Sequence, residues 1–327
     1  MAEDHDLENT PGKRLQALSD LARRLVSFFS LVLMALVLSI LSPYFLTLEN
    51  LFAIGLQMSV IAIMAIGQMM IIIAAGIDLS VGSVLALSGV VCTSLLAGGV
   101  PVASALSAGI GVGVLCGLLN GVLVSRGRIP PFIATLGTMG MARGAALIIS
   151  GGAGIQLLEL PGAFTFLGGG RLFSVVPVPV IITVVLALAG HGILKYTRMG
   201  RYTYAIGSNR EAVRLSGVNI HRYLTMIYTF CGLLCGLAGV ILASRLRSGQ
   251  PTAGTGWELD VIAACVIGGA SLSGGEGTIL GAIIGALIMG VLRNGCNLLD
   301  ISAFWQQVAI GAIIVVAVYI DQYRHAR

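Results

Sequence analysis

Residues 51–82 read LFAIGLQMSVIAIMAIGQMMIIIAAGIDLSVG, and this stretch decides the fold. Its first 25 residues carry no charge. As a helix rising about 1.5 Å per residue they extend about 37 Å, enough to cross the roughly 30 Å hydrocarbon layer of a membrane. The run breaks at Gly76-Ile-Asp-Leu-Ser-Val-Gly82, where Asp78 or Ser80 can cap the next helix by accepting hydrogen bonds from its free N–H groups. Apolar segments of the same kind recur on both sides. They fall at about 25–46, 51–75, 79–98, 101–124, 131–149, 174–194, 223–244, 259–275, 277–292 and 303–320. The expected architecture is all-α: a polytopic membrane helix bundle of about ten transmembrane helices.

Composition agrees. Hydrophobic residues fill 57% of the 327 positions and charged ones only 10%, with mean hydropathy +0.97, whereas soluble domains carry about 25% charged residues. So few charges cannot clothe a water-facing surface. The expected organisation is a polar tail over 1–24, a transmembrane domain over 25–320 interrupted by a basic loop at 195–222, and a short tail over 321–327. The apolar run after the first tail is too long for a cleavable signal peptide. The net charge of +5 is placed for orientation rather than for nucleic acid. With the N-terminus inside, fourteen of the 19 Lys and Arg residues fall in cytoplasmic segments, six of them within 195–222 (Lys195, Arg198, Arg201, Arg210, Arg214, Arg222). Outside fall Arg171, Arg245, Arg247 and Arg293, while Arg143 lies within a span. Basic residues gather on the cytoplasmic side, so both termini are expected there.

Glycine occurs 45 times, with repeats at every fourth position in Gly113/Gly117/Gly121, Gly232/Gly236 and Gly281/Gly285. In lipid, helices associate through close backbone approach, which small residues permit. A second break, Gly268-Gly-Ala-Ser-Leu-Ser-Gly-Gly275, interrupts the apolar pattern as the first does. Irregular backbone at membrane depth survives only when buried in protein or lining a cavity. Interfacial turns explain both breaks equally well, so re-entrance is left open by the sequence.

Chemistry of the enzymatic kind is sparse. No Gly-x-x-x-x-Gly-Lys-[Ser/Thr] phosphate loop occurs. Four histidines (His5, His191, His221, His325) and six cysteines (Cys92, Cys116, Cys231, Cys235, Cys265, Cys296) form neither a catalytic order nor a metal-ligand spacing. The cysteines read as small reduced packing residues. No catalytic residue, metal or chain-bound cofactor is expected. Arg143 reads as a pore or gate contact, or as a helix-end arginine reaching for the outer surface.

The loop at 195–222 is the longest basic, polar stretch between spans. Ser208 or Asn209 can serve as an N-cap, with Glu211 in the first turn and Gly217 as a stop. A helix of about two turns is expected there, outside the lipid. Ala212, Val213 and Leu215 give it an apolar contact surface, and Arg210 and Arg214 stand one turn apart. Such a part suits docking to a motor.

The segment Glu211-Ala-Val-Arg-Leu-Ser-Gly217 resembles the Glu-Ala-Ala-x-x-x-Gly coupling motif of bacterial ABC importer permeases, with Val213 replacing the second Ala. More widely, the chain is similar to the ribose/xylose/arabinose-type monosaccharide permeases. The similarity runs through Gly76–Ser83, Arg128–Gly137, Ala205–Ala212, Ser248–Gly256 with Glu258-Leu-Asp260, and Phe304–Val308, in order and with similar spacing. The resemblance implies a type II importer fold of ten helices in a bacterial inner membrane, with the coupling helix between the sixth and seventh spans. It implies two copies of the permease and a cytoplasmic ABC ATPase, which holds the ATP and Mg and in sugar systems is often tandem-fused. It also implies a periplasmic or lipid-anchored sugar-binding protein. The coupling residues would be Ser208, Asn209, Arg210, Glu211, Ala212, Arg214 and Gly217. Arg245, Arg247 and Gln250 would meet the binding protein.

A neutral, hydroxyl-rich sugar asks for neutral hydrogen-bonding groups along its passage. Asp78, Ser80, Asn120, Arg143, Ser271, Asn294, Asn297 and Gln307 are the pathway or gate candidates. The rival expectation is an ion-coupled secondary sugar transporter, which would normally show buried carboxylate or histidine relays in several spans. The sugar itself is open among pentoses, hexoses and polyols.

Overall fold

The computed structural model describes residues 27–157, 161–173 and 175–325. The expected tail over 1–24 and the final two residues of the expected tail over 321–327 lie outside the described residues. In chain order the helices are α1 (Ser27–Leu41), α2 (Leu48–Ile73), α3 (Val81–Ala97), α4 (Val102–Ser125), α5 (Pro131–Ser150), α6 (Gly162–Gly169), α7 (Val178–Tyr196), α8 (Arg198–Ser208), α9 (Arg210–Leu215), α10 (Ile220–Leu246), α11 (Trp257–Ile267), α12 (Ile279–Leu298) and α13 (Ala303–His325). Local chemistry sets several of the starts. Thr47, Asn219 and Thr278 accept hydrogen bonds from the free N–H groups of α2, α10 and α12. α5 and α7 open on prolines, which lack the N–H that would go unpaired there.

Each expected span contains a helix. Among the described residues, six of them (α2, α4, α5, α7, α10 and α12) are long and apolar enough to cross a membrane. The eighth expected span, 259–275, is corrected: α11 has 11 residues, about 16 Å at 1.5 Å per residue, roughly half a membrane's thickness. The rest of that segment, Gly268 onward, is irregular backbone up to Thr278. Glycine pairs and a Ser-x-Ser-Gly-Gly sequence cannot hold the helix that its hydropathy suggests.

α2 and α10 form the centre. Every residue of α2 from Met58 to Ile73 is buried, as befits a helix apolar on all sides. α4, α5 and α7 lie outside and expose Leu115, Ile148 and Leu188, a surface suited to lipid. α4 joins α10 along the expected glycine seam. A Cβ on Gly113 would overlap the carbonyl oxygen of Gly232, and one on Gly117 the carbonyl oxygen of Tyr228. Gly281 and Gly285 likewise lie against Gly268 and Ala264.

The end of the bundle away from α8 and α9 carries two short antiparallel ribbons. β1 (Ile155–Gln156) pairs with β4 (Ser248–Gly249), in the register Ile155 to Gly249. β2 (Arg171–Leu172) pairs with β3 (Val176–Pro177). α6 is fastened to α10 there: Ser244 Oγ donates to Phe164 O (2.5 Å) and accepts from Gly168 N–H (2.8 Å).

Candidate coupling and translocation site

The loop 195–222 folds as two helices. α9 is the expected one, though six residues long. Asn209 is its cap, accepting from Ala212 N–H at 2.9 Å, and Gly217, at φ +77°, turns the chain away in a conformation that favours glycine. Ser208 ends α8 instead of capping α9. Arg214 Nε donates to Glu211 Oε2 at 3.0 Å, and this hydrogen bond holds the Glu211 carboxyl below its ordinary value of 4.5. Val213 is buried and anchors α9, while Arg210, Glu211, Ala212 and Arg214 are exposed and Leu215 is 75% exposed. The result is a small, internally braced knob with an apolar tip. α8 was missed in the loop, yet its signal is there: Met199, Tyr202, Thr203 and Ile206 recur at helical spacing and face the core.

The first break, between α2 and α3, is a closed polar knot. Asp78 Oδ1 accepts from Ser80 N–H (2.7 Å) and Ser80 Oγ (2.6 Å). Asn120 of α4 donates to Ser80 Oγ at 2.9 Å. The Gln68 amide, oriented by its partners, donates to Asp78 O (3.3 Å) and accepts from Asp78 N–H (3.1 Å). Leu79 N–H donates to Thr135 Oγ1 of α5 at 3.1 Å. All of these side chains are buried. Asn120 stands five residues before the end of α4, so the knot sits about 7 Å inside the bundle. Thus Asp78, Ser80 and Asn120, picked separately from the sequence, come together. Gln68, a neutral amide within α2, and Thr135, an ordinary helix residue by sequence, complete the knot. Among the described residues, Asn120 Oδ1 and the Tyr228 hydroxyl, which lies beside Gly76, have no hydrogen-bond partner.

The second irregular region begins earlier than expected. Gly249 lies against Val90 and Thr93, while Gly254 lies against Gly82 at the start of α3. Eight residues of helix separate those levels, so the chain descends about 12 Å into the bundle within five residues. The stretch after β4 is therefore not an outer surface loop: from 250 to 278 the chain turns back into the bundle and crosses it to the α8 end as loop, half-helix α11 and loop, a re-entrant unit in that sense. Arg143 holds its upper limb, donating from Nη1 to Pro251 O (2.5 Å) and Ala253 O (2.8 Å). Arg293 of α12 holds α11 through an ion pair with the buried Asp260 at 2.5 Å. Sequence reading set Arg293 on the outer side and did not pair it with Asp260. An acid and a base at the edges of apolar runs were the available signal for their pairing.

The remaining candidates scatter. Ser271 is buried in the lower limb, where its Oγ accepts from Ser273 N–H at 3.2 Å. Asn294 exchanges amide hydrogen bonds with Asn50 at 2.7 and 3.0 Å, tying α12 to α2. Asn297 accepts from Gln306 Nε2 at 2.8 Å, and both Asn297 and Gln307 are exposed, far from the knot in sequence and contacts. Arg245 and Arg247 share an open cleft of about 320 Å³ with α6. Gln250 is turned inward, donating to Ser248 Oγ at 3.0 Å and packing on Gly154. Among the described residues, no group of three or more His, Cys, Asp or Glu side chains is placed to hold a metal.

Residues 50–318 match the family described as branched-chain amino acid transport system / permease component. The chain is 46% identical over 297 residues to the ribose import permease protein RbsC of Escherichia coli (strain K12), covering 90% of this chain and 92% of that protein. It is 42% identical over 304 residues to the ribose import permease protein RbsC of Bacillus subtilis (strain 168), covering 93% and 94%. With the D-allose transport system permease protein AlsC of Escherichia coli (strain K12) the identity is 38% over 299 residues, 90% of each chain. No solved structure matches the chain. A multi-pass helical fold, a match over most of the sequence and near-full-length relatives agree: the chain belongs to this family of transport-system permease components.

Proposed function

We propose that the chain is the membrane-spanning subunit of an ATP-driven importer and forms the passage for a monosaccharide, a ribose-like pentose or a related sugar. The observation that carries this reading is α9: a capped, ion-paired, protruding helix between α7 and α10, with an exposed Leu215 at its tip. A permease with no phosphate loop needs its energy delivered, and this knob fits a cytoplasmic ABC ATPase, separate or tandem-fused, that holds ATP and Mg. The chain itself is non-catalytic and binds no cofactor.

In this reading α9 is cytoplasmic, both termini are cytoplasmic, and the protein lies in a bacterial inner membrane as ten crossing segments, with the re-entrant unit counted as the eighth. Two copies assemble with the ATPase. At the far end, a periplasmic or lipid-anchored sugar-binding protein docks at the cleft holding Arg245 and Arg247, whose positive charge suits an acidic surface. Gln250 supports that loop from within.

The passage is assigned to the face shared by the α2–α3 break and the re-entrant unit, where irregular backbone runs at membrane depth. Apart from Asp78 and the mutually paired Asp260 and Arg293, its groups are neutral: Gln68, Ser80, Asn120, Ser271 and the Tyr228 hydroxyl. A sugar is served by such donors and acceptors. A branched-chain amino acid, which carries both charges, would ask for a matched pair. Arg143 acts as a gate by releasing or holding Pro251 and Ala253. ATP binding moves α9, and the bundle exchanges outward for inward access.

The test is uptake into proteoliposomes holding the chain with the ATPase and binding protein from the same source. Labelled ribose, allose, arabinose and leucine are offered in turn. The reading expects sugar uptake that needs ATP and ignores a protonophore. Uptake without the ATPase that collapses with a protonophore would establish the ion-coupled alternative, and uptake of leucine alone would overturn the cargo.

A further inference from the structure

The last turn of α8 touches both irregular regions at once. A Cβ on Gly207 would overlap the carbonyl oxygen of Ile73, the last residue of α2, and would stand 2.6 Å from the amide nitrogen of Gly275 in the lower limb of the re-entrant unit. Those two groups are themselves bonded: Gly275 N–H donates to Ile73 O at 2.8 Å. Gly274 packs on Ala75 and on the Gly207 carbonyl. One turn earlier on α8, the Tyr204 hydroxyl donates to Gly277 O at 2.6 Å, and Gly277 precedes Thr278, the cap of α12. Three separate strands of chain thus meet backbone to backbone, with no flexible side chain between them.

We infer that Gly207 and Tyr204 are the positioning residues through which movement of α9 enters the membrane part of the protein. The inference rests on α9 being the docking element for an ATPase. Asn209, two residues beyond Gly207, is extended (φ −152°, ψ 93°) and caps α9, so the knob and the junction share one short stretch of backbone. α9 is braced by its cap and its ion pair, and a braced lever transmits displacement where a frayed one absorbs it. A tilt of α9 pushes Gly207 against Ile73, five residues from the Asp78 knot. The same tilt draws on Gly275 and Gly277, which lead one way to α11 and the other way to α12. Both breaks are then displaced together, which alternating access requires of a passage they share.

Tyr204→Phe removes the hydrogen bond to Gly277 O and leaves packing in place. In the reconstituted importer it should leave permease yield, ATPase co-purification and ATP turnover in place, and lower the sugar taken up per ATP hydrolysed about three- to tenfold, the range that one hydrogen bond's net contribution commands. Gly207→Ala should lower that ratio further where the protein still folds. A merely structural role lowers uptake and hydrolysis together through lost protein and leaves the ratio unchanged. An unaltered ratio in Tyr204→Phe overturns the inference even if Gly207→Ala fails to fold. If the unmodified chain binds no ATPase, the proposed function falls and takes this inference with it. If it binds and Tyr204→Phe couples normally, only the inference falls.

Discussion

The α4–α10 seam and the re-entrant unit 250–278 cross the same bundle, and they differ in how far polar side chains share in holding them. The seam is glycine on glycine, with backbones so close that a single methyl group has nowhere to go. The re-entrant unit has close glycine contacts too, at Gly254, Gly268 and Gly275, but polar side chains also hold it along its length: Arg143 above, Arg293 in the middle and Tyr204 below. Close-packed backbone is stiff, because any slip costs many contacts together. Polar bonds can change partners one at a time. In the proposed cycle the seam is the frame and the unit is the part that moves.

That contrast can be broken at its strongest suspension point first. Arg293→Ala leaves Asp260 buried without its counter-charge, and should destabilise the protein by about 3–5 kcal/mol, as broken buried pairs do. Thermal unfolding in detergent checks this. The neutral double variant Asp260→Asn with Arg293→Gln should recover most of the loss, and wild-type stability in Arg293→Ala alone would show the pair to be incidental. Gly113→Ala attacks the frame and should cost about 1–3 kcal/mol by overpacking. The same melt reads it, and a neutral outcome would mean the seam is looser than described. Arg143→Gln should cost only about 1 kcal/mol, since the half-buried guanidinium's carbonyl partners can turn to water. Its mark should be local, with faster hydrogen exchange over 250–256 and no change along α4. Uniform exchange across both regions would erase the distinction between frame and moving part.

The smallest effect concerns pH at α9. The Arg214 hydrogen bond lowers the Glu211 carboxyl below 4.5 in the folded protein. A lowered acid contributes its stabilisation above its unfolded value and loses it as pH falls through the folded one. The α9 brace should therefore be intact from neutral pH down past 4.5 and part only below that. Glu211→Gln should remove this pH dependence, which tritium or deuterium exchange at Ala212 and Val213 follows from pH 6 to 3. Persistence of the acid transition in Glu211→Gln would assign it to another group.

The seam was legible in the sequence and the re-entrant unit was not. Glycines spaced at four along Gly113/Gly117/Gly121 and Gly232/Gly236 carry their own geometry, because that spacing marks one helix face. Asn209, Glu211 and Gly217 were legible for the same reason: caps and stops are local. The re-entrant unit depends on tertiary partners. Nothing near Gly254 announces that it meets Gly82, and apolar residues 261–267 read the same in a full span as in a half-helix. Asn297 and Gln307 show the converse limit, for polar residues on apolar helices need not face a common passage. Asp78, Ser80 and Asn120 come together because a polar group inside lipid must find partners, and few are available.

The central claim is that power reaches this permease through α9, and crosslinking tests it most directly. A cysteine at Leu215 in the assembled importer should form a crosslink to the ATPase, whereas one at Phe173, 88% exposed at the opposite end, should not. A crosslink from Phe173 alone, or none from Leu215 in a complex that hydrolyses ATP and takes up sugar, would contradict the account.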